Sequence, residues 1–173
     1  MAKVAVVVAS GFEQTEMTAI CKGLADAGHT VQVVSTKKHA ARSWDNTRWN
    51  GDVPVDMAAI DAEAQDFDAL VFPGGLIAAD TLRSDDAVVR LVRDATAQGR
   101  PVAALGHAVW VLAEAGAIKG RAATSHPAIR TDVVNAGAQW RDQGAVADGT
   151  LITGRHGHDV GEFVAVVAGA LPS

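Results

Sequence analysis

Two rhythms of apolar residues alternate along this chain. Short unbroken apolar runs, the mark of strands covered on both faces, are followed by stretches in which apolar positions recur every three or four residues, the mark of amphipathic helices. Residues 3–9, Lys-Val-Ala-Val-Val-Val-Ala, form the first run. After Ser10-Gly11, residues 13–27 carry Met17, Ile20, Cys21 and Leu24 on one helical face, with Gly28 as the stop. Residues 29–35 make a second strand through Val31, Val33 and Val34. That β-α-β unit predicts a right-handed crossover in a parallel sheet.

The helical period is lost over residues 36–58, which read as a surface excursion with short strands around an Asn50-Gly51 turn. Residues 59–67 read as a short helix or loop. A third strand, 68–72, ends at Pro73-Gly74-Gly75, and residues 80–98 form one helix with Val88, Val89, Leu91 and Val92 inward. A fourth strand, 102–105, breaks at Gly106 into a helix over 107–115. Short strands are expected at 122–124, 138–141, 145–147 and 151–153, the last two joined at Asp148-Gly149. Helices are expected from His126-Pro127 to Asn135 and over 160–170. The order predicts an α/β fold, a doubly wound, mostly parallel sheet sandwiched by helices, in one domain spanning 1–173.

Composition narrows the function classes. Hydrophobic residues make up 49% of the 173, enough for a sizeable core, and the net charge is −5. An acidic chain with scattered basic residues argues against nucleic acid and against an anionic membrane surface as partners. Cys21 is the only cysteine, which excludes an intrachain disulfide and fits a reducing, cytoplasmic setting. No Walker loop, Gly-x-Gly-x-x-Gly or His-Glu-x-x-His occurs, so nucleotide and zinc-protease readings have no support.

Ligands of such sheets bind beyond the carboxyl ends of the strands, where the Gly11, Gly74-Gly75 and Gly106 turns fall. These turns bring together Glu13, the N–H groups of Gly74 and Gly75, and Gly106 with His107. A carboxylate, a histidine and a nest of donors are the parts of a carbonyl-directed site. The strand-to-helix turn at Gly106 has the frame of a nucleophile elbow, which demands φ > 0, yet glycine offers nothing that can attack.

Several stretches together resemble the DJ-1/PfpI family: Gly11-Phe-Glu-Gln-Thr-Glu16, Phe67-Asp-Ala-Leu-Val-Phe-Pro-Gly-Gly75, Asp80-Thr-Leu-Arg83, Gly99-Arg-Pro-Val-Ala-Ala104, Gly106-His107 with Trp110, Thr124-Ser-His-Pro127, Asn135-Ala-Gly-Ala-Gln-Trp140 and Asp148-Gly-Thr-Leu-Ile-Thr153. The resemblance implies a flavodoxin-like sandwich, also described as class I glutamine amidotransferase-like. It implies a homodimer or, in the PfpI branch, a hexamer. The implied activities are intracellular peptidase, cofactor-free glyoxalase, deglycase, and chaperone or stress protection. No cofactor and no metal are implied. The family's elbow cysteine falls on Gly106, and the histidine after it is kept as His107. Ala108-Val109 stand where Gly-Pro is common. The glutamate beside the thiol corresponds to Glu13. Asp80 corresponds to an acid that reaches the histidine across a subunit contact. Gly74 and Gly75 flank the oxyanion position, and Gly154-Arg-His-Gly-His-Asp159 replaces the usual Ser-Arg-x-Pro-Asp-Asp.

The resemblance therefore implies a stress-associated pseudoenzyme. Its crevice would accept a small anion or carbonyl compound. The alternatives are an enzyme using Glu13, His107 or another group, and a chaperone-like homo-oligomer. Cys21 reads as a small core residue, and Ser10 and Ser125 lie near the crevice but off the elbow. His126 either lines the pocket or caps a helix. His156, His158 and Asp159 read as a solvated turn rather than metal ligands. Trp44 and Trp49 serve an interface or local packing.

Overall fold

The computed structural model describes residues 1–172. The chain runs β1 (Lys3–Val8), β2 (Phe12–Glu13), α1 (Gln14–Asp26), β3 (Thr30–Ser35), β4 (Ala40–Trp44), β5 (Trp49–Pro54), β6 (Met57–Ala58), β7 (Ala69–Phe72), α2 (Leu76–Arg83), α3 (Asp86–Ala97), β8 (Val102–Leu105), α4 (Val109–Glu114), β9 (Ala122–Ala123), α5 (Arg130–Asn135), β10 (Gln139–Trp140), β11 (Ala145–Asp148), β12 (Leu151–Gly154) and α6 (Val160–Gly169). Single 3-10 turns at Ala59–Asp61, Ala64–Asp66, Gly106–Ala108, Pro127–Ile129 and Gly157–Asp159 join some of them.

The main sheet has seven strands in the order β11-β12-β8-β7-β1-β3-β6. All neighbours are parallel except the β11–β12 hairpin. The five parallel strands β3-β1-β7-β8-β12 follow the flavodoxin-like order, with the switch point between β1 and β7. A right-handed crossover to β3 and one to β8 proceed in opposite directions along the sheet. They put α1 on one face and α3 on the other. Accordingly α1 packs with α6, and α2, α3 and α4 pack with one another.

Strands β7 and β8 are buried at every position and β1 at all but Lys3, because helices cover both faces. The core runs from these strands to Leu24, Leu91, Leu112 and Phe163, each fully buried. At Gly154 the end of β12 lies against Phe163, and a Cβ there would sit 2.8 Å from its ring.

Two expectations are corrected. The helix expected over 80–98 is two helices. α2 begins at Leu76 straight after the Pro-Gly-Gly turn, and Asp85 restarts the chain as α3 by accepting a hydrogen bond from Val88 N at 3.0 Å. The hairpin of the excursion does not turn at Asn50-Gly51, which lies inside β5. It turns at 45–48, where Asp45 accepts from Thr47 N, Thr47 Oγ1 and Arg48 N, and Asn46 takes φ 73°. An Asp side chain that closes the turn on three donors outcompetes the Asn-Gly pair. The helices expected to start at 107 and 126 each begin with a 3-10 turn before the α-helix.

Truncating Phe163 to Ala should cost about 3–5 kcal/mol, as for other fully buried aromatics. Urea unfolding should show this as a lower midpoint at unchanged slope. A loss under about 1 kcal/mol would mean that α6 is not part of the cooperative core.

Candidate active-site cleft

Five chain segments meet at the carboxyl ends of β1, β7, β8, β9 and β12 to enclose a cleft of about 760 Å³. Its walls include Glu13, Thr15, Glu16, Gly75, His107, His126, His156 and His158, with Trp44, Leu76 and Ile77 at hand. Glycines make the convergence possible. Gly75 takes φ 117°, and a Cβ on it would lie 2.5 Å from Gly11 O and 2.8 Å from Glu13 N. The Pro-Gly-Gly turn can therefore touch the β1–α1 turn, where Gly74 O accepts from Glu13 N at 2.9 Å.

Gly106 stands where β8 gives way to helix, with φ 62°. The expected bend is thus present. A Cβ at this position would meet only Arg155 O, at 3.8 Å, so the elbow has room for a side chain and carries none. His107 follows, edge-on to Trp110 with centroids 5.6 Å apart and stacked on His126 at 4.2 Å. His126 then contacts His156 at 6.4 Å, and His156 contacts His158 at 5.1 Å. His126 fills both roles left open by the sequence. It lines the cleft, and its Nδ1 accepts from Ala128 N at 3.2 Å as the N-cap of the next turn. That bond leaves the ring proton of neutral His126 on Nε2.

Sequence reasoning assigned the acidic role to Glu13 and passed over Glu16. Both carboxyls line the cleft, and Glu16 is the more deeply committed. Its Oε2 accepts from Gly74 N at 2.7 Å. A Cβ on Gly74 would fall 2.2 Å from Oε2, and one on Gly157 would fall 2.9 Å from Oε1. The carboxyl therefore occupies a slot that two glycines from different loops keep open. The signal was available. Glu16, Ile20 and Leu24 form the buried i, i+4, i+8 stripe of α1, so a carboxylate stands in register with the core face.

Burial pushes the Glu16 carboxyl up to about 7, helped by the charge of Glu13 and opposed by the Gly74 N–H. Glu13 is also raised by burial, against a hydrogen bond from Thr15 Oγ1 at 3.4 Å. His107 is lowered to about 4, by burial first and by His126 second. His126 is lowered by burial and then by His156. At neutral pH the rings of His107 and His126 are uncharged, and no Lys or Arg lines the cleft.

The remaining candidates fall outside it. Asp80 is exposed on α2 and does not line the cleft of its own chain. Ser125 is buried, its hydroxyl donating to His126 O and accepting from Trp140 Nε1, both at 3.0 Å. Ser10 Oγ accepts from Arg42 N. Cys21 is half-buried on α1 rather than fully in the core, away from these walls. His156 and His158 sit at the 3-10 turn Gly157–Asp159, none of whose residues is buried, and both also line the cleft, while Asp159 is tied to Arg155 at 3.0 Å and lies 3.1 Å from His156 Nδ1. Among the described residues no three metal-ligand side chains converge as a metal site would require. Trp44 and Trp49 pack edge to face across the hairpin at 5.5 Å.

With this geometry, the family follows from comparison. The profile of the DJ-1/PfpI family matches residues 2–169, so the chain belongs to that family. It is 35% identical over 158 residues to a deglycase of Thermococcus kodakarensis, covering 91% of this chain and 92% of that one. It is 35% identical over 162 residues to general stress protein 18 of Bacillus subtilis, covering 93% and 92%. Among solved structures it superposes with TM-score 0.90 and 36% identity on a two-domain protein of Anabaena variabilis with DJ-1/ThiJ/PfpI-like and ferritin-like domains, covering 96% of this chain and 49% of that one. No helix among the described residues is long and apolar enough to cross a membrane.

The raised Glu16 acid predicts a specific pH dependence. The folded state holds this proton more tightly than the unfolded chain, so stability falls as pH rises from about 4.5 to about 7 and then levels. Glu16→Gln keeps an acceptor for Gly74 N and removes the charge. Relative to the parent it should gain roughly 3 kcal/mol more at pH 8 than at pH 4, read from chemical denaturation at both. Equal effects at the two values would show that the carboxyl is not held neutral. His107 acts in the opposite sense: its depressed value makes the fold lose stability as pH drops from 6.5 toward 4.

Proposed function

We propose that this protein is a stress-associated member of the family that holds small carbonyl compounds without covalent capture and has no cysteine-dependent catalysis. The observation that carries this reading is the glycine at the elbow. Gly106 keeps the positive φ of the bend but supplies no sulfur, and neither cysteine nor serine lines the cleft. A thiolate is the nucleophile of thiol chemistry on a carbonyl, and nothing here replaces it. Relatives named as deglycases and as a general stress protein support carbonyl compounds as the ligand class.

Between the two ligand classes implied by the sequence, anion and carbonyl, the walls favour the uncharged one. Glu13 and Glu16 bring acid groups, burial disfavours the charged form of His107 and His126, and no Lys or Arg lines the cleft to await an anion. The neutral rings and the N–H of Gly75 offer hydrogen bonds to a carbonyl oxygen. The protein is read as a cytoplasmic homo-oligomer, a homodimer or hexamer. Asp80 would reach a histidine only from a second copy, and the exposed Leu76 and Ile77 beside it suit such a contact.

Two measurements test the reading. Dihydroxyacetone at millimolar concentration should shift the ring-proton resonances of His107 and His126, and His126→Ala should weaken that binding. Rings that do not respond would remove the carbonyl site. Gly106→Cys should cost about 1–3 kcal/mol of stability for a side chain at positive φ. In exchange it should gain an iodoacetamide-reactive thiol and a methylglyoxal adduct at residue 106. An adduct on a cleft residue of the parent protein would overturn the non-covalent reading.

A further inference from the structure

The pair Asn50-Gly51, expected at a turn, lies exposed within β5. There the register of β4 with β5 shifts between Arg42 and Trp44, so that Asn50 and Gly51 together face Ser43, as in a β-bulge. Asparagine before glycine is a reactive pair, because the glycine nitrogen can attack the neighbouring side-chain amide with no Cβ in its way. We infer that Asn50 is a site of spontaneous deamidation, held back by a tie to Gln14 on α1 and opened when the β4–β5 hairpin lifts from that helix.

The tie is made of named bonds. Asn50 Nδ2 donates to Gln14 Oε1. Arg42 Nε donates to Asn50 O at 3.2 Å, and Ser43 Oγ donates to Gly51 O at 2.8 Å. Deamidation begins with a ring closure that carries Cγ of Asn50 onto the nitrogen of Gly51 and turns the peptide between them out of its extended form. All three bonds oppose that motion. They are also weak enough to let go, since Arg42, Asn50 and Gly51 are exposed and water competes for the same groups. The chain has two other asparagines, and neither is poised in this way. Asn46 precedes Thr47 and Asn135 precedes Ala136, each with a Cβ in the path of attack.

The reaction needs only water. Hydroxide takes the proton of the Gly51 N–H, and the nitrogen forms a bond to Asn50 Cγ. The Cγ–Nδ2 bond breaks, and ammonia leaves with a proton from water, which restores the hydroxide. One water then opens the succinimide. Cleavage at Cγ gives aspartate, and cleavage at the main-chain carbonyl gives isoaspartate, which adds a carbon to the backbone of β5. Either way a carboxylate replaces the amide and has no proton for Gln14 Oε1. Two places feel the loss. The groove of about 340 Å³ between α1 and β5 has Gln14, Gly51 and the half-buried Cys21 in its walls. The same hairpin carries Trp44 and Asn46 into the wall of the cleft.

The experiment incubates the full-length protein at neutral and alkaline pH and follows all three asparagines by peptide mapping with mass spectrometry. Amide loss should fall on Asn50 and quicken with pH, and the native protein should react more slowly than the chain unfolded in urea. Gln14→Ala should speed it roughly 3–10-fold, the worth of one net hydrogen bond. Gly51→Ala, whose Cβ meets nothing within 4 Å, should keep the fold and nearly abolish the reaction. Iodoacetamide should label Cys21 several-fold faster in Gln14→Ala, and in aged, deamidated protein, than in fresh parent. Should Gln14→Ala fail to fold, the native-to-unfolded ratio and the Cys21 labelling of aged protein carry the test. An Asn50 that stays intact in urea overturns the site. A native rate equal to the unfolded one, a Gln14→Ala rate equal to the parent's, or Cys21 labelling that does not change overturns the tie.

Discussion

The bond from Gly74 N–H to the buried Glu16 carboxyl is the tie on which the cleft depends. It joins the first turn of α1 to the loop that ends β7, and Gly157 brings the segment after β12 to the other side of the same carboxyl. Three loops from distant parts of the sequence are registered against one side chain. The arrangement is costly. A carboxylate so deep loses hydration, and a single N–H donor does not restore it, so burial pushes the group up to about 7. Structural carboxylates more often gain stability from strong partners. One that lowers stability and faces a cavity has the profile of a working group.

The histidines extend that logic. Four imidazoles from three segments line one cleft, and burial, then a neighbouring ring, lowers two of them: His126 acts on His107 and His156 on His126. Had a lysine or arginine lined it, the site would suit phosphate or carboxylate. Arg155, whose carbonyl approaches the elbow, has its guanidinium committed to Asp142 and Asp159 instead. The cleft therefore carries carboxyl and imidazole groups but no lysine or arginine.

Gly106 holds the bend where β8 gives way to helix, with φ 62°. His107 after the bend and Gly75 of the Pro-Gly-Gly turn both line the cleft, and the family membership is shown over nearly the whole length. The backbone conformation that a side chain adopts only under strain is the one glycine adopts freely.

The sequence by itself determined the architecture and the bend. Unbroken apolar runs such as 3–9 and 102–105 can be satisfied only between two helical layers, and a strand running into a helix at Gly106 admits one kind of turn, so both were legible from local pattern. Local pattern also misled where side chains decide. Asp45 with three donors overrode Asn50-Gly51, and Asp85 split one expected helix into two. The tertiary structure alone decided which acid is enclosed between loops. The period of α1 puts Glu16 in register with Ile20 and Leu24, but only the approach of Gly74 and Gly157 shows that its carboxyl is enclosed. It alone brought His156 and His158, assigned to a solvated turn, beside His107 and His126. The reason is physical: strand and helix periods are set by neighbours in the chain, whereas burial, and with it the protonation state of a carboxyl or an imidazole, is set by neighbours in space.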